Sequence, residues 1–234
     1  MQPITHLATV GSTNDWLAER AATLSDGAWV FADAQTGGRG RRGRAWTSLP
    51  GNLFASVLTR PQPGEGPSQQ PSFVAALALA AALDDYVDPA RLALKWPNDV
   101  LLDGVKLAGI LLEKQGDATI IGFGVNLAAH PTASERPATS LAAAGALPPT
   151  PKEFVEMLSV QLTSERQAWR ADSFVVTRRA WLARAAGLGR PLVARLGSET
   201  LTGVFEGLAD DGALQLRLDN GALRAVHAGE VFGV

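Results

Sequence analysis

An uninterrupted apolar run, Phe73 to Leu83, stands between Ser72 and Asp84-Asp85 and sets the first condition on the fold. Its eleven residues are too few to cross a bilayer, which takes roughly 20. The run therefore reads as a helix buried in a core. The chain has the means to bury it, with 234 residues, 46% of them hydrophobic and 19% charged, close to the average of globular domains. The N-terminus has neither the basic start nor the apolar stretch of a secretion signal, so a soluble, cytoplasmic protein with no membrane contact is expected. There is no cysteine, which removes disulfides, thiolate metal sites and cysteine nucleophiles together.

The elements around that helix follow from local pattern. A helix is expected after Ser12 or Thr13, with Ser12 and Asp15 at capping-box spacing and Trp16, Leu17, Ala21 and Leu24 on one face, ending before Gly27. Ala28 to Ala34 and Asn52 to Thr59 read as strands, and Pro61 to Pro71 as a surface loop. Leu92 to Trp96, Val100 to Leu102, Lys106 to Lys114 and Thr119 to Leu127 read as a meander, with Asp103-Gly104 as a hairpin turn. Pro131 to Pro151 reads as loop, followed by amphipathic helices near Lys152 to Arg170 and Phe174 to Ala186. The last 47 residues change character. Turn signals at Gly197-Ser198, Asp210-Asp211-Gly212 and Asn220-Gly221 separate four or five short strands, which must curl into a barrel to bury anything. A boundary is placed near Gly187, giving domains 1–187 and 188–234.

Charge is concentrated locally although the formal net charge is only −2. No acidic residue lies between Asp33 and Glu65, yet Arg39, Arg41, Arg42 and Arg44 fall within six positions. Guanidiniums fork onto carboxylate or phosphate oxygens, and glycines let the backbone approach a ligand closely. The loop Gly38-Arg39-Gly40-Arg41-Arg42-Gly43 matches GxGxxG, but that fingerprint needs a helix opening at the loop, and here another strand follows. Two readings stay open on the residues alone: a site for a small anion, or a solvated basic loop of the kind that contacts RNA. Four like charges with little apolar anchoring also predict disorder until an anion binds. Trp46 beside the loop reads either as a stacking face for a purine or as a core tryptophan.

A second constellation is Lys95-Trp96-Pro97-Asn98-Asp99 with Lys106-Leu107-Ala108-Gly109. Lys106 alternates with Val105 and Leu107, so it points away from them, toward solvent or into a ligand site. Asp99 reads as a partner for a lysine, a metal ligand or an ordinary turn residue. Gly122-Phe123-Gly124-Val125-Asn126 ends a strand where small residues admit a ligand. His6, His130 and His227 follow no metal or triad spacing, and no metal ligands are assigned.

Taken together, Gly11 to Asn14, Gln35 to Trp46, Lys95 to Asp99, Lys106 to Glu113, Gly122 to Asn126, and Arg190-Pro191, Asp211 to Leu214 and Gly229-Glu230-Val231 in the tail resemble the biotin protein ligases in order and in kind. The resemblance implies an α+β catalytic domain of the class II synthetase-like type, a mixed sheet flanked by helices, with a small SH3-like barrel behind it. It implies formation of biotinyl-5′-AMP from biotin and ATP with Mg²⁺, then transfer to a lysine of a biotin carboxyl carrier domain. Lys106 and Arg41 would be catalytic. Ser12, Thr13, Asn14, Gln35, Gly38, Arg39, Gly40, Arg41, Lys106 and Gly109 would hold biotin. Arg41, Arg44, Trp46, Asn98, Asp99, Lys106 and Asn126 would hold ATP. The Ser-Thr-Asn motif begins at residue 12, so no N-terminal winged helix and no DNA partner are expected; the oligomeric state is left open. Ligases for lipoate or octanoate share the fold and are the nearest alternative.

Overall fold

The computed structural model describes residues 4–67, 69–132, 137–197 and 199–233. Ser68 of the Pro61 to Pro71 loop, residues 133–136 of the Pro131 to Pro151 loop and Ser198 of one expected turn lie outside them.

The apolar run forms α2, Pro71–Leu83, with proline in its first turn and burial on all sides. A helix without a polar face must be covered twice. A seven-stranded sheet covers it on one side and the long helix α3, Pro151–Ala183, on the other. The sheet comprises β1 (Thr5–Val10), β2 (Ala28–Gln35), β3 (Leu53–Thr59), β4 (Leu92–Lys95), β5 (Asp99–Leu102), β6 (Val105–Gln115) and β7 (Ala118–Val125), in the order β1-β2-β3-β7-β6-β5-β4. Only β1 and β2 pair in parallel, so the sheet is mixed as expected.

Alternation along the central strands explains both the core and the site. Ile121, Phe123 and Val125 of β7, with Leu53, Ala55 and Val57 of β3, belong to the core that includes α2 and α3. The opposite face carries Ile120 and Leu58, which pack with Val30 and with Leu17 of α1 (Thr13–Arg20). Further along that second face the register aligns Gly122 with Ser56 and Leu111, and Gly124 with Phe54 and Gly109. At Gly109, Gly122 and Gly124 the side chain shrinks to hydrogen, and a hollow opens beside α1.

Several local expectations are corrected. The strand β1 precedes α1, although the first element had been expected to be the helix. Ser12 occupies the N-cap of α1, but its side chain makes no capping hydrogen bond and is buried toward the site instead. The two expected C-terminal helices are both present as the halves of α3, and the break between them falls at Ser173, whose φ of 64 interrupts the helical path. Its start is a full capping box: Thr150 Oγ1 accepts from the Glu153 amide, and Glu153 accepts from the Thr150 amide.

The tail forms β8 (Pro191–Leu196), β9 (Glu199–Leu208), β10 (Leu214–Arg217), β11 (Leu223–Val226) and β12 (Glu230–Phe232). They make a five-stranded antiparallel sheet in the order β11-β10-β9-β8-β12. Among the described residues β11 and β12 are not paired with each other, so the expected barrel is a five-stranded sheet without closure. Phe205, Leu214, Leu216 and Val231 are among its buried apolar residues. Contacts dock this unit on the larger one: Trp96 Nε1 donates to the Gly212 carbonyl at 3.2 Å, and Gln70 Nε2 donates to the Asp210 carbonyl at 2.9 Å.

Candidate active site

The hollow is a cleft of about 460 Å³ floored by β6 and β7. Its floor cannot tolerate side chains. A Cβ on Gly124 would lie 2.5 Å from Trp46 Cε2, and one on Gly122 would lie 2.4 Å from Asn14 Oδ1. The indole of Trp46 thus lies against Gly124, and its Nε1 is buried with no hydrogen-bond partner among the described residues.

One end of the cleft is neutral and densely hydrogen-bonded. Gln35 Oε1 accepts from the Thr13 amide at 2.8 Å and from Thr13 Oγ1 at 3.1 Å. Ser56, fully buried on β3, reaches Thr13 Oγ1 at 2.7 Å and Asn14 Oδ1 at 2.6 Å. Asn14 Nδ2 donates onward to Glu113 Oε2 at 2.6 Å. Ser12, Thr13 and Asn14 are all buried at the start of α1, where backbone N–H groups also point outward.

The other end is cationic. Lys106 Nζ donates to Asp99 Oδ1 at 2.6 Å and lies 5.5 Å from the Trp46 ring centroid. Simple alternation does not bring it there. Residues 109, 111 and 113 of β6 line the cleft side, so an even-numbered residue of a regular strand would face away. The pairing of β5 with β6 slips between Val100 and Leu101, so Val100 faces Ala108 while Leu101 faces Lys106. That bulge re-aims Lys106 toward Asp99 and the glycine floor.

The arginine loop closes the cleft's open side. It forms a short 3-10 turn at Arg41–Gly43 and an antiparallel bridge between Arg39 and Ala45, with no α-helix opening at the glycines. Carboxylates from three other segments meet the guanidiniums. Arg39 forks onto Asp15 with two bonds of 2.7 Å and also donates to Glu113. Arg44 pairs with Glu230, which Arg42 approaches at 3.7 Å, and Arg41 Nη1 donates to the Gly229 carbonyl at 3.3 Å. These pairings set the ionisation. The hydrogen bond from Arg39 holds the Asp15 carboxyl below its ordinary range, and Asp15 in turn raises Arg39. Burial, then the nearby Arg42, lowers Arg41, with Asp99 opposing. Arg41 is thus a half-buried cation lining the cleft.

Of the residues singled out from sequence, Ser12, Thr13, Asn14, Gln35, Arg39, Gly40 and Arg41 line the cleft. So do Arg44, Trp46, Asn98, Asp99, Lys106, Gly109 and Asn126. Gly38 does not. Its carbonyl accepts from the Trp46 amide at 2.9 Å, and a Cβ there would lie 2.9 Å from Gln35 Nε2, so it ties the loop to its neighbours. Asn98 donates to the Ile110 carbonyl at 2.6 Å, and Asn126 donates to the Thr139 carbonyl at 3.0 Å. His6 pairs with Asp33 and His227 with Asp211, both away from the cleft.

Sequence reasoning missed Ser56, Asp15 and Glu113 as site-supporting groups, and Glu230 and Val231 as part of the wall. Ser56 alternates with apolar residues like any strand serine and carries no sequence signal. Gly229-Glu230-Val231 did stand out as a motif, but its reach to the cleft depends on docking of the tail.

Comparison with known proteins shows the family of this chain. The model of the Biotin/lipoate A/B protein ligase family matches residues 7–126, and that of the Biotin protein ligase C terminal domain matches residues 187–233. A biotin–[acetyl-CoA-carboxylase] ligase of Paracoccus denitrificans is 44% identical over 97% of this chain and 98% of its own length. The protein of the same name from Mycobacterium tuberculosis is 33% identical over 96% of this chain and 86% of its own. The solved structure of a biotin protein ligase from Aquifex aeolicus in complex with biotin and ATP is similar with a TM-score of 0.85 at 28% identity, covering 99% of this chain and 98% of that one. A biotin protein ligase from Leishmania major in complex with biotinyl-5-AMP gives 0.70 at 25% identity. With family models across both parts of the sequence and two relatives above 30% identity along nearly all of it, this chain belongs to the biotin protein ligases of the biotin/lipoate A/B protein ligase family.

Proposed function

We propose that this protein activates biotin with ATP as biotinyl-5′-AMP and passes the biotinyl group to a lysine of a carboxylase's carrier domain. The observation that carries the reading is the polarity of the cleft: a neutral hydrogen-bonding end at Thr13, Asn14, Gln35 and Ser56, and a cationic end at Lys106, Arg41 and Arg44. Biotin has the matching polarity, with a neutral ureido head at one end and a carboxylate at the other.

In the first step a carboxylate oxygen of biotin attacks the α-phosphorus of ATP, and the bond to pyrophosphate breaks. Two anions must meet, so fixed cations lower the barrier most. In this reading Lys106, held by Asp99, lies where carboxylate and α-phosphate converge. Arg41 closes over the adenylate, Arg44 takes up phosphate, and Trp46 covers the adenine. Ser12, Gln35, Arg39, Gly40 and Gly109 frame biotin, while Asn98 and Asn126 border the nucleotide. In the second step the lysine amine of the carrier attacks the anhydride carbonyl, the bond to AMP breaks, and the amine's proton is lost. No covalent enzyme intermediate is formed.

Mg²⁺ is expected as part of the nucleotide substrate. Among the described residues no three His, Asp or Glu side chains converge to cage an ion. An ion carried in on phosphates takes one or two carboxylates and keeps its waters. Asp99 and Asn126 are the side chains that would face it, and it would neutralise phosphate charge.

The division into a catalytic part, 1–187, and a C-terminal part, 188–234, belongs to the same proposal, with α3 ending at Ala183 and β8 starting at Pro191. A cytoplasmic setting is proposed with it; no described helix is long and apolar enough to cross a membrane. The test is biotin-dependent exchange of labelled pyrophosphate into ATP, with lipoate and octanoate in parallel. Exchange with biotin alone supports the reading. Exchange with lipoate or octanoate and none with biotin would transfer it to another acid, and RNA binding without any exchange would overturn it.

A further inference from the structure

Glu113 sits near the end of β6, outside the cleft lining, yet it bonds both to Asn14 at the neutral end and to Arg39 of the arginine loop. Its Oε2 accepts from Asn14 Nδ2 at 2.6 Å, and its two oxygens accept from Arg39 Nε at 3.1 Å and Nη2 at 2.9 Å. Asn14 is buried, and its other amide atom is already taken by Ser56, so the Glu113 contact decides which way the amide faces. Arg39 is the loop's first guanidinium, and Glu113 supplies one of its two carboxylate seats; the other is Asp15.

We infer that Glu113 is a positioning residue that couples the neutral end of the cleft to the arginine loop, through Asn14 on one side and Arg39 on the other. The physical basis is that one carboxylate does two different jobs. Toward Asn14 it need only accept a hydrogen bond, which a neutral amide oxygen can also do. Toward Arg39 its charge matters, because a charge-assisted, forked bond is roughly twice as strong as a neutral one. The two functions are therefore separable by substitution. Gly122 is part of the same device: any side chain there would collide with the Asn14 amide and break the chain of bonds at its middle.

The inference rests on the proposed biotin reading only for its ligand arm. The experiment compares wild type with Glu113→Ala and Glu113→Gln, measuring KM for biotin and for ATP by pyrophosphate exchange, and trypsin cleavage within residues 39–44 of the ligand-free protein. Glu113→Ala is expected to raise KM for biotin about tenfold, to change KM for ATP less than threefold, and to speed loop cleavage several-fold. Glu113→Gln is expected to bring KM for biotin back to within about threefold of wild type while loop cleavage stays fast. A merely structural role would move all readouts together. The proposal is overturned if Glu113→Ala matches wild type in both readouts, or if Glu113→Gln equals Glu113→Ala in both. If wild type shows no biotin-dependent exchange, the ligase reading fails, and the ligand-free cleavage rates still decide whether Glu113 seats the loop.

Discussion

Replacing Lys106 with methionine removes the cation at the centre of the cleft while keeping most of its volume. Two effects of different origin follow. In the folded protein the ammonium lies 2.6 Å from Asp99, whose side chain is only 12% exposed against 29% for Lys106. Removing one partner of a fully buried pair costs about 3–5 kcal/mol, because the other charge is stranded. Water in the cleft screens both groups, so about 1–2 kcal/mol is the better figure here. For a chain of this size that lowers the unfolding midpoint by roughly 2–8 °C. Chemistry should suffer more, since losing one preorganised donor at a site of developing charge typically costs ~10²–10³ in rate. Calorimetry and biotin-dependent pyrophosphate exchange separate the two. Adding Asp99→Asn removes the stranded carboxylate, so the double variant should regain stability without regaining exchange. Exchange within about threefold of wild type in Lys106→Met, or activity that returns together with stability in the double variant, would refute the assignment and leave Lys106 as a strand lysine paired for stability.

Two further outcomes follow from the cleft wall. Arg41→Gly removes a half-buried guanidinium and its bond to the Gly229 carbonyl, so the variant should still form biotinyl-5′-AMP but release it, measured as adenylate in the filtrate and as indiscriminate labelling of bystander lysines; retention equal to wild type would count against the closure role. Gly124→Ala places a methyl group 2.5 Å from the Trp46 ring, so the indole must shift and KM for ATP should rise at least several-fold with biotin affinity little changed, whereas unchanged nucleotide kinetics would show that Trp46 does not cover the adenine.

Period and punctuation determined the element types of this protein. The apolar run at 73–83 had to be a core helix because nothing in it could face water, and it is one. Alternation and turn residues located β2 to β7 to within a residue or two, since those signals are local and the structure keeps them. The strand β1 escaped notice because its side chains are largely exposed and carry no clean alternation; its pairing with β2 makes it a strand. The candidate site was legible as residue types in order, and the glycines and arginines did meet at one cleft.

What only the tertiary structure decided were relations between distant segments. The bulge that turns Lys106 toward Asp99 depends on the register of two strands, which no residue in either strand specifies alone. The counter-charges of the arginine loop come from α1, β6 and β12, at sequence separations of 24, 74 and nearly 200 residues. Counting charges along the chain therefore shows only the cluster of like charges, whereas the folded protein pairs them. Composition and periodicity are properties of neighbours in sequence, whereas Coulomb attraction and hydrogen bonding act between neighbours in space, and only the fold says which residues those are.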